Sequence, residues 1–179
     1  MKMKKVLTNP GFIFVASVIF FGAIMRLVPH WPNFTPIAAM AIFGGVYLSR
    51  KRLAYLIPFA AMLISDAILG FHNLMIPVYA SFAVIVFLSG YLRNRVKPLT
   101  VAGASIGASV LFFLVTNFAV WLTSPFYTPD FQGLMACYTA GLPFLKNGLA
   151  GDLFYTTVFF GSFYLAGLRY PVLKPVPAK

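Results

Sequence analysis

Residues 101–123 contain no charged side chain. The hydrocarbon core of a bilayer is about 30 Å thick and takes about 20 apolar residues as a helix. Five more apolar stretches accompany this one, at 11–27, 36–49, 53–70, 74–92 and 142–168. They are not the alternating segments of a membrane barrel, whose polarity switches residue by residue over about ten positions. Without water, every backbone N–H and C=O needs a partner, and a continuous apolar run finds them only as a helix. The expectation is an all-α membrane protein of six transmembrane helices, a single integral membrane domain over residues 1–179. The stretch 36–49 is short, reaching only about 21 Å as a helix. It must thin the bilayer, enter part way, or pack inside the bundle.

Charge supports the same count. Only 9% of residues are charged, against about 25% in a soluble domain. The net charge of +11 does not point to nucleic acid, because no soluble basic face exists to carry it. Basic residues instead mark the cytoplasmic connections of a membrane protein. Lys2, Lys4 and Lys5, then Arg50, Lys51 and Arg52, then Arg93, Arg95 and Lys97, then Arg169, Lys174 and Lys179 all fall on one side of six spans. Only Arg26 and Lys146 fall on the other. Both termini are therefore expected in the cytoplasm, and five spans would break the pattern. The run from Gly11 to Met25 follows lysines as in a signal peptide, but Arg26-Leu27-Val28-Pro29-His30 offers no cleavage site. It reads as a retained first helix.

Prolines fall where spans should end, at Pro29, Pro32, Pro36, Pro98, Pro125 and Pro129, while Pro58 and Pro77 lie inside spans and are expected to kink them. Small residues stripe the fifth span at Gly103, Ala104, Gly107 and Ala108 and suit close helix contact, as do Ala41 and Gly45 in the second.

Hydrogen-bonding groups gather on the side opposite the lysines and arginines. The first outer connection, 28–36, holds His30, Trp31 and Asn33; the third holds His72; the fifth, 124–141, holds Tyr127, Asp130, Gln132, Cys137 and Tyr138. Asp66 and Asp152 lie within spans near the same level, with Asn117. Carboxylates at such depth face a partner or a cavity rather than lipid. Arg26 can pair with either acid, and Lys146 is a further candidate. Two readings follow: a buried ion pair that fixes packing, or an outward-facing polar pocket. Trp31, Trp121, Tyr127 and Tyr138 fit interfacial anchors. A phosphate-binding loop, HExxH and CxxC are all absent from the sequence. No catalytic residue, metal ligand set or cofactor is expected, and the single Cys137 makes no internal disulfide.

The stretch Arg-Leu-Val-Pro-His-Trp-Pro-Asn-Phe-Thr-Pro at 26–36, Ala38 to Gly45, Ser65-Asp66 and Leu149-Ala150-Gly151-Asp152 together resemble a family of small, uncharacterised six-helix bacterial membrane proteins. That family is similar in layout to the S components of energy-coupling-factor (ECF) vitamin transporters. The resemblance implies an S-component-like bundle in the bacterial cytoplasmic (inner) membrane. It also implies a ligand pocket beneath the outer loops and a separate ATPase module as partner. Of that class, the ECF-type cobalamin transporter shares a pocket histidine and aspartate that His30 and Asp66 resemble. It differs in using a third-loop cysteine, since residues 71–81 here contain Tyr79 and no cysteine. Nor does the first helix show the Ala-x-x-x-Ala pattern of many S components.

The leading expectation is a membrane-embedded, vitamin-like small-molecule binding and uptake protein. Arg26, His30, Asn33, Asp66, His72, Tyr79, Asn117, Lys146 and Asp152 would line its pocket, with Trp31 and Tyr138 covering an apolar portion of the ligand. The alternatives are an accessory subunit of a larger membrane complex, and a membrane enzyme or haem protein using His30 and His72. The charge pattern makes one direct prediction. A reporter fused after Lys179 should be active if it requires the cytoplasm; alkaline phosphatase activity from the same position would overturn the six-span topology.

Overall fold

The computed structural model describes residues 6–48 and 50–173. Lys2, Lys4, Lys5, Lys174 and Lys179, which contributed to the charge count, lie outside the described residues, as does Ser49. Six α-helices of 11 to 39 residues are formed. They are α1 (Pro10–Met25), α2 (Ile37–Tyr47), α3 (Lys51–Leu69), α4 (Met75–Ser89), α5 (Pro98–Thr123) and α6 (Phe131–Arg169). There is no strand among the described residues.

The helix starts carry the chemistry that their free N–H groups need. Asn9 accepts from the Phe12 N–H at 3.2 Å, with Pro10 opening α1. Thr100 accepts from the Lys97 N–H at 3.0 Å before Pro98 opens α5. Asp130 accepts from the Gly133 N–H at 2.7 Å and from the Thr128 hydroxyl at 2.8 Å. These donors hold its exposed carboxyl below the usual carboxylate range. This cap moves the start of the last helix. The sequence predicts a loop over 124–141 and a span over 142–168, but α6 begins at Phe131 and runs through Gly133, Gly141 and Pro143. Gln132, Cys137 and Tyr138 are helical residues, not loop residues. Pro77 also differs from expectation. It sits in the first turn of α4, where a missing N–H costs nothing.

Three stretches, Lys51–Leu69, Met75–Leu92 and Pro98–Thr123, are long and apolar enough to cross a membrane, fewer than the six predicted. The helix α1 has 16 residues and α2 has 11. At 39 residues α6 extends for about 58 Å, and it carries Lys146 and Asp152 within it.

The short stretch is packed inside the bundle, one of the three outcomes considered for it. Every residue from Ala38 to Val46 is buried, and α2 touches all five other helices. Glycines allow that approach. A Cβ on Gly45 would stand 2.6 Å from the Val86 carbonyl oxygen on α4, and one on Gly44 would stand 2.5 Å from Pro58 on α3. Close contact is thus found at Ala41 and Gly45 and, on α5, at Ala108 and Ala104, which pack into the core, whereas added Cβ atoms on Gly103 and Gly107 meet nothing within 4 Å.

The helices alternate in direction. The start of α1 lies beside Leu173, and the connection after α4 reaches the end of α2 through Arg93. The first, third and fifth connections lie at the other end. Gly45→Ala should lower the unfolding midpoint in detergent by the equivalent of about 1–3 kcal/mol, since the obstructing atoms are largely backbone. Gly107→Ala should change it by less than about 0.5 kcal/mol. Equal effects of the two would contradict the packing described.

Candidate functional site

The connection between α1 and α2 is a built structure. Asn33 adopts a left-handed conformation at φ 63°, which asparagine tolerates better than most side chains. Phe34 N–H closes on the Trp31 carbonyl at 2.9 Å, and Asn147 of α6 donates to the Pro32 carbonyl at 3.1 Å. Gly151 lets this loop press on α6; a Cβ there would stand 2.9 Å from the Phe34 Cα. The Phe34 ring packs on Phe154 and Tyr155. The Pro32 carbonyl and the Phe34 ring thus hold the loop at one place on the bundle.

Behind the loop lies an ion pair. The guanidinium of Arg26, at the end of α1, reaches α3 and donates to Asp66 Oδ1 at 2.6 Å. It also donates to Ser65 Oγ and approaches the Met62 carbonyl at 3.4 Å and sulfur at 3.3 Å. Tyr79 of α4 donates to Asp66 Oδ2 at 2.7 Å. Arg26 is 8% exposed and Asp66 1%. Of the two acids left open as partners for Arg26, Asp66 is the one paired.

Asp152 is treated differently. It is 7% exposed, and its Oδ2 accepts from Ser109 of α5 at 2.6 Å. The Ala38 backbone N–H in the first turn of α2 also donates to it. Asp152 thereby supplies the cap that Pro36 cannot. Among the described residues no cation pairs with it.

These elements enclose a partly open cavity of about 520 Å³. Arg26, His30, Asn33, His72, Asn117 and Asp152 line it, together with Thr35, Ser109, Thr116, Tyr127 and Cys137. Phe112, Phe113, Phe144, Leu145 and Val120 form the apolar wall. His30 holds Nδ1 2.6 Å from the Val28 carbonyl. A carbonyl only accepts, so Nδ1 carries the proton and Nε2 is left available. The Nε of Arg26 is the one buried side-chain nitrogen or oxygen without a partner among the described residues.

Five residues predicted to take part in the pocket do not line it. Asp66 and Tyr79 lie behind Arg26 and are occupied with it. Trp31 is 72% exposed and packs edge-on against Phe34. Lys146 is exposed. Tyr138 donates to the Leu114 carbonyl at 2.8 Å and stacks on Phe113. Among the described residues no group of three or more His, Cys, Asp or Glu is placed to hold a metal. Ser109 and Thr116 were not anticipated. Their signal was present in the spacing of Ser105, Ser109, Thr116 and Asn117, which puts polar groups on one face of α5.

The chain belongs to a family, and residues 6–173 match it; its description is "Family of unknown function (DUF6580)". No curated protein matches the chain. No solved structure matches it either.

The ion pair permits a quantitative test. Asp66→Asn or Arg26→Met alone should each destabilise the detergent-solubilised protein by about 3–5 kcal/mol, because each leaves a buried charge uncompensated. The double variant should lose clearly less than the sum. Strict additivity in denaturant unfolding would mean that the pair is not coupled.

Proposed function

We propose that this chain is a multi-pass membrane protein that binds a small molecule in the cavity at the outer ends of its helices. In this reading the bilayer is the bacterial cytoplasmic membrane and all six helices traverse or embed in it. The arginine-rich end faces the cytoplasm with both termini. The observation that carries the proposal is the cavity itself. Its polar lining comes from the end of α1, from α5 and α6 and from three connections, and its roughly 520 Å³ falls in the range of about 300–1,000 Å³ typical of small-molecule sites. A buried polar-lined space of this size inside an otherwise apolar bundle is expensive unless something is recognised there.

In this reading the bundle would act as an S component, and uptake would use a separate ATPase module. The cobalamin variant draws no support from the lining. Tyr79 is engaged by Asp66, and Cys137 enters from α6 rather than from the third connection. A second reading, an accessory subunit of a membrane complex, is favoured by Gly103 and Gly107. These lie one turn apart on the exposed apolar side of α5 without a neighbour, the spacing by which membrane helices associate.

The test is thermal unfolding of detergent-purified protein against a panel of vitamins and metabolites. At least one should raise the midpoint. Gly148→Leu should abolish that rise while the unliganded protein stays folded, because a Cβ there has only the Asn33 carbonyl, at 3.8 Å, within reach and the side chain would fill the cavity. A panel without any stabilising compound, combined with stoichiometric co-purifying membrane subunits, would favour the second reading instead.

A further inference from the structure

Two buried carboxylates stand at the same end of the bundle, and only one is neutralised. Asp66 has Arg26 at 2.6 Å and the Tyr79 hydroxyl at 2.7 Å. Asp152 has only uncharged donors, Ser109 and the Ala38 N–H. Those donors solvate a negative charge without cancelling it. The first turn of α2 adds about half an elementary positive charge at most. The other ionisable groups on the cavity wall do not change the balance. Arg26 is matched by Asp66, and His30 turns its Nδ1 to the Val28 carbonyl. The wall is therefore left with one buried carboxyl, Asp152, that has no cationic partner among the described residues.

We propose that the cavity selects a small organic cation. Its protonated nitrogen would sit on Asp152, with Ser109 orienting the carboxylate. Its apolar part would lie against Phe112, Phe113 and Phe144, whose ring faces also attract cations. This inference rests on the reading that the cavity binds a small molecule, and it names the class. An anionic ligand would meet Asp152 with like charge in a space of low dielectric.

The experiment uses the full-length protein in detergent at neutral pH. Benzylamine, phenethylamine and an aminomethyl-benzamide are each compared with the alcohol and the carboxylate of the same frame, by thermal shift and calorimetry. The amines should bind about tenfold or more tighter than the matched alcohols, and the carboxylates least. Asp152→Asn should erase the preference for amine over alcohol, and Asp152→Glu should retain it in part. If Asp152→Asn does not accumulate, the ranking on the unmodified protein decides. Alcohols or carboxylates that equal or exceed the amines would overturn the cation assignment and leave the small-molecule reading standing. A complete absence of binding by all three classes would overturn both.

Discussion

A helix enclosed on its sides by all the others still has to find partners for the free backbone groups at both of its ends, and α2 is that helix. Its eleven residues are too few to cross a bilayer, and its sides are enclosed by the other five helices. Both of its ends are met by charged side chains from elsewhere in the chain. Asp152 of α6 accepts from Ala38 in the first turn. At the other end, Arg93 donates to the Gly45 carbonyl at 3.0 Å and to the Leu48 carbonyl at 2.6 Å. The signs match the helix macrodipole, negative at the N-terminus and positive at the C-terminus. Removing either would leave buried backbone groups unsatisfied where no solvent can replace them.

This arrangement explains why the cavity lies where it does. A central helix that reaches only about 16 Å cannot fill the full depth of a bundle whose outer members are longer. Space remains beyond its N-terminus. The proline-rich connection of residues 28–36 caps that space, and α6 closes it from the side. The same carboxylate that holds α2 is therefore also exposed to the cavity. Structure and recognition share one group, which ties the geometry of the pocket to the integrity of the core.

Much of this could be read from the sequence, for a physical reason. Burying charge in hydrocarbon is costly, so Arg26, Asp66 and Asp152 announced themselves as paired or pocket-facing groups by their position alone. Apolar runs marked the bounds of the first five helices within a few residues. What could not be read was choice among equals. Arg26 had two acids at one level, and only the side-by-side placement of α1 and α3 picks Asp66. The start of α6 was also hidden. Gly133, Gly141 and Pro143 look like breakers, yet the Asp130 cap and the packing of Gly141 against Asn117 outweigh their low helix propensity. Similarly, the small residues of α5 looked like a contact face within the chain, whereas Gly103 and Gly107 face outward. Spacing shows that a helix can be approached closely, not which neighbour does so.

The contrast between the two acids limits what the cavity can hold. In a region of low dielectric, opposite charges at contact attract by several kcal/mol more than in water, so a buried carboxylate acquires a cation wherever the fold can supply one. The fold does so for Asp66. For Asp152 it supplies a hydroxyl and a helix N-terminus, while Arg26, on the same cavity wall, is committed to Asp66. The acid that faces the space is the one without a counter-ion, and the acid that has one faces away from it. If the bundle needed Asp152 only as a cap, an asparagine or serine would serve that end of α2 equally well in isolated-helix terms, at far lower desolvation cost. In the proposed reading a carboxyl kept in that position serves the ligand as well as the helix end, and what lies opposite it is the cavity.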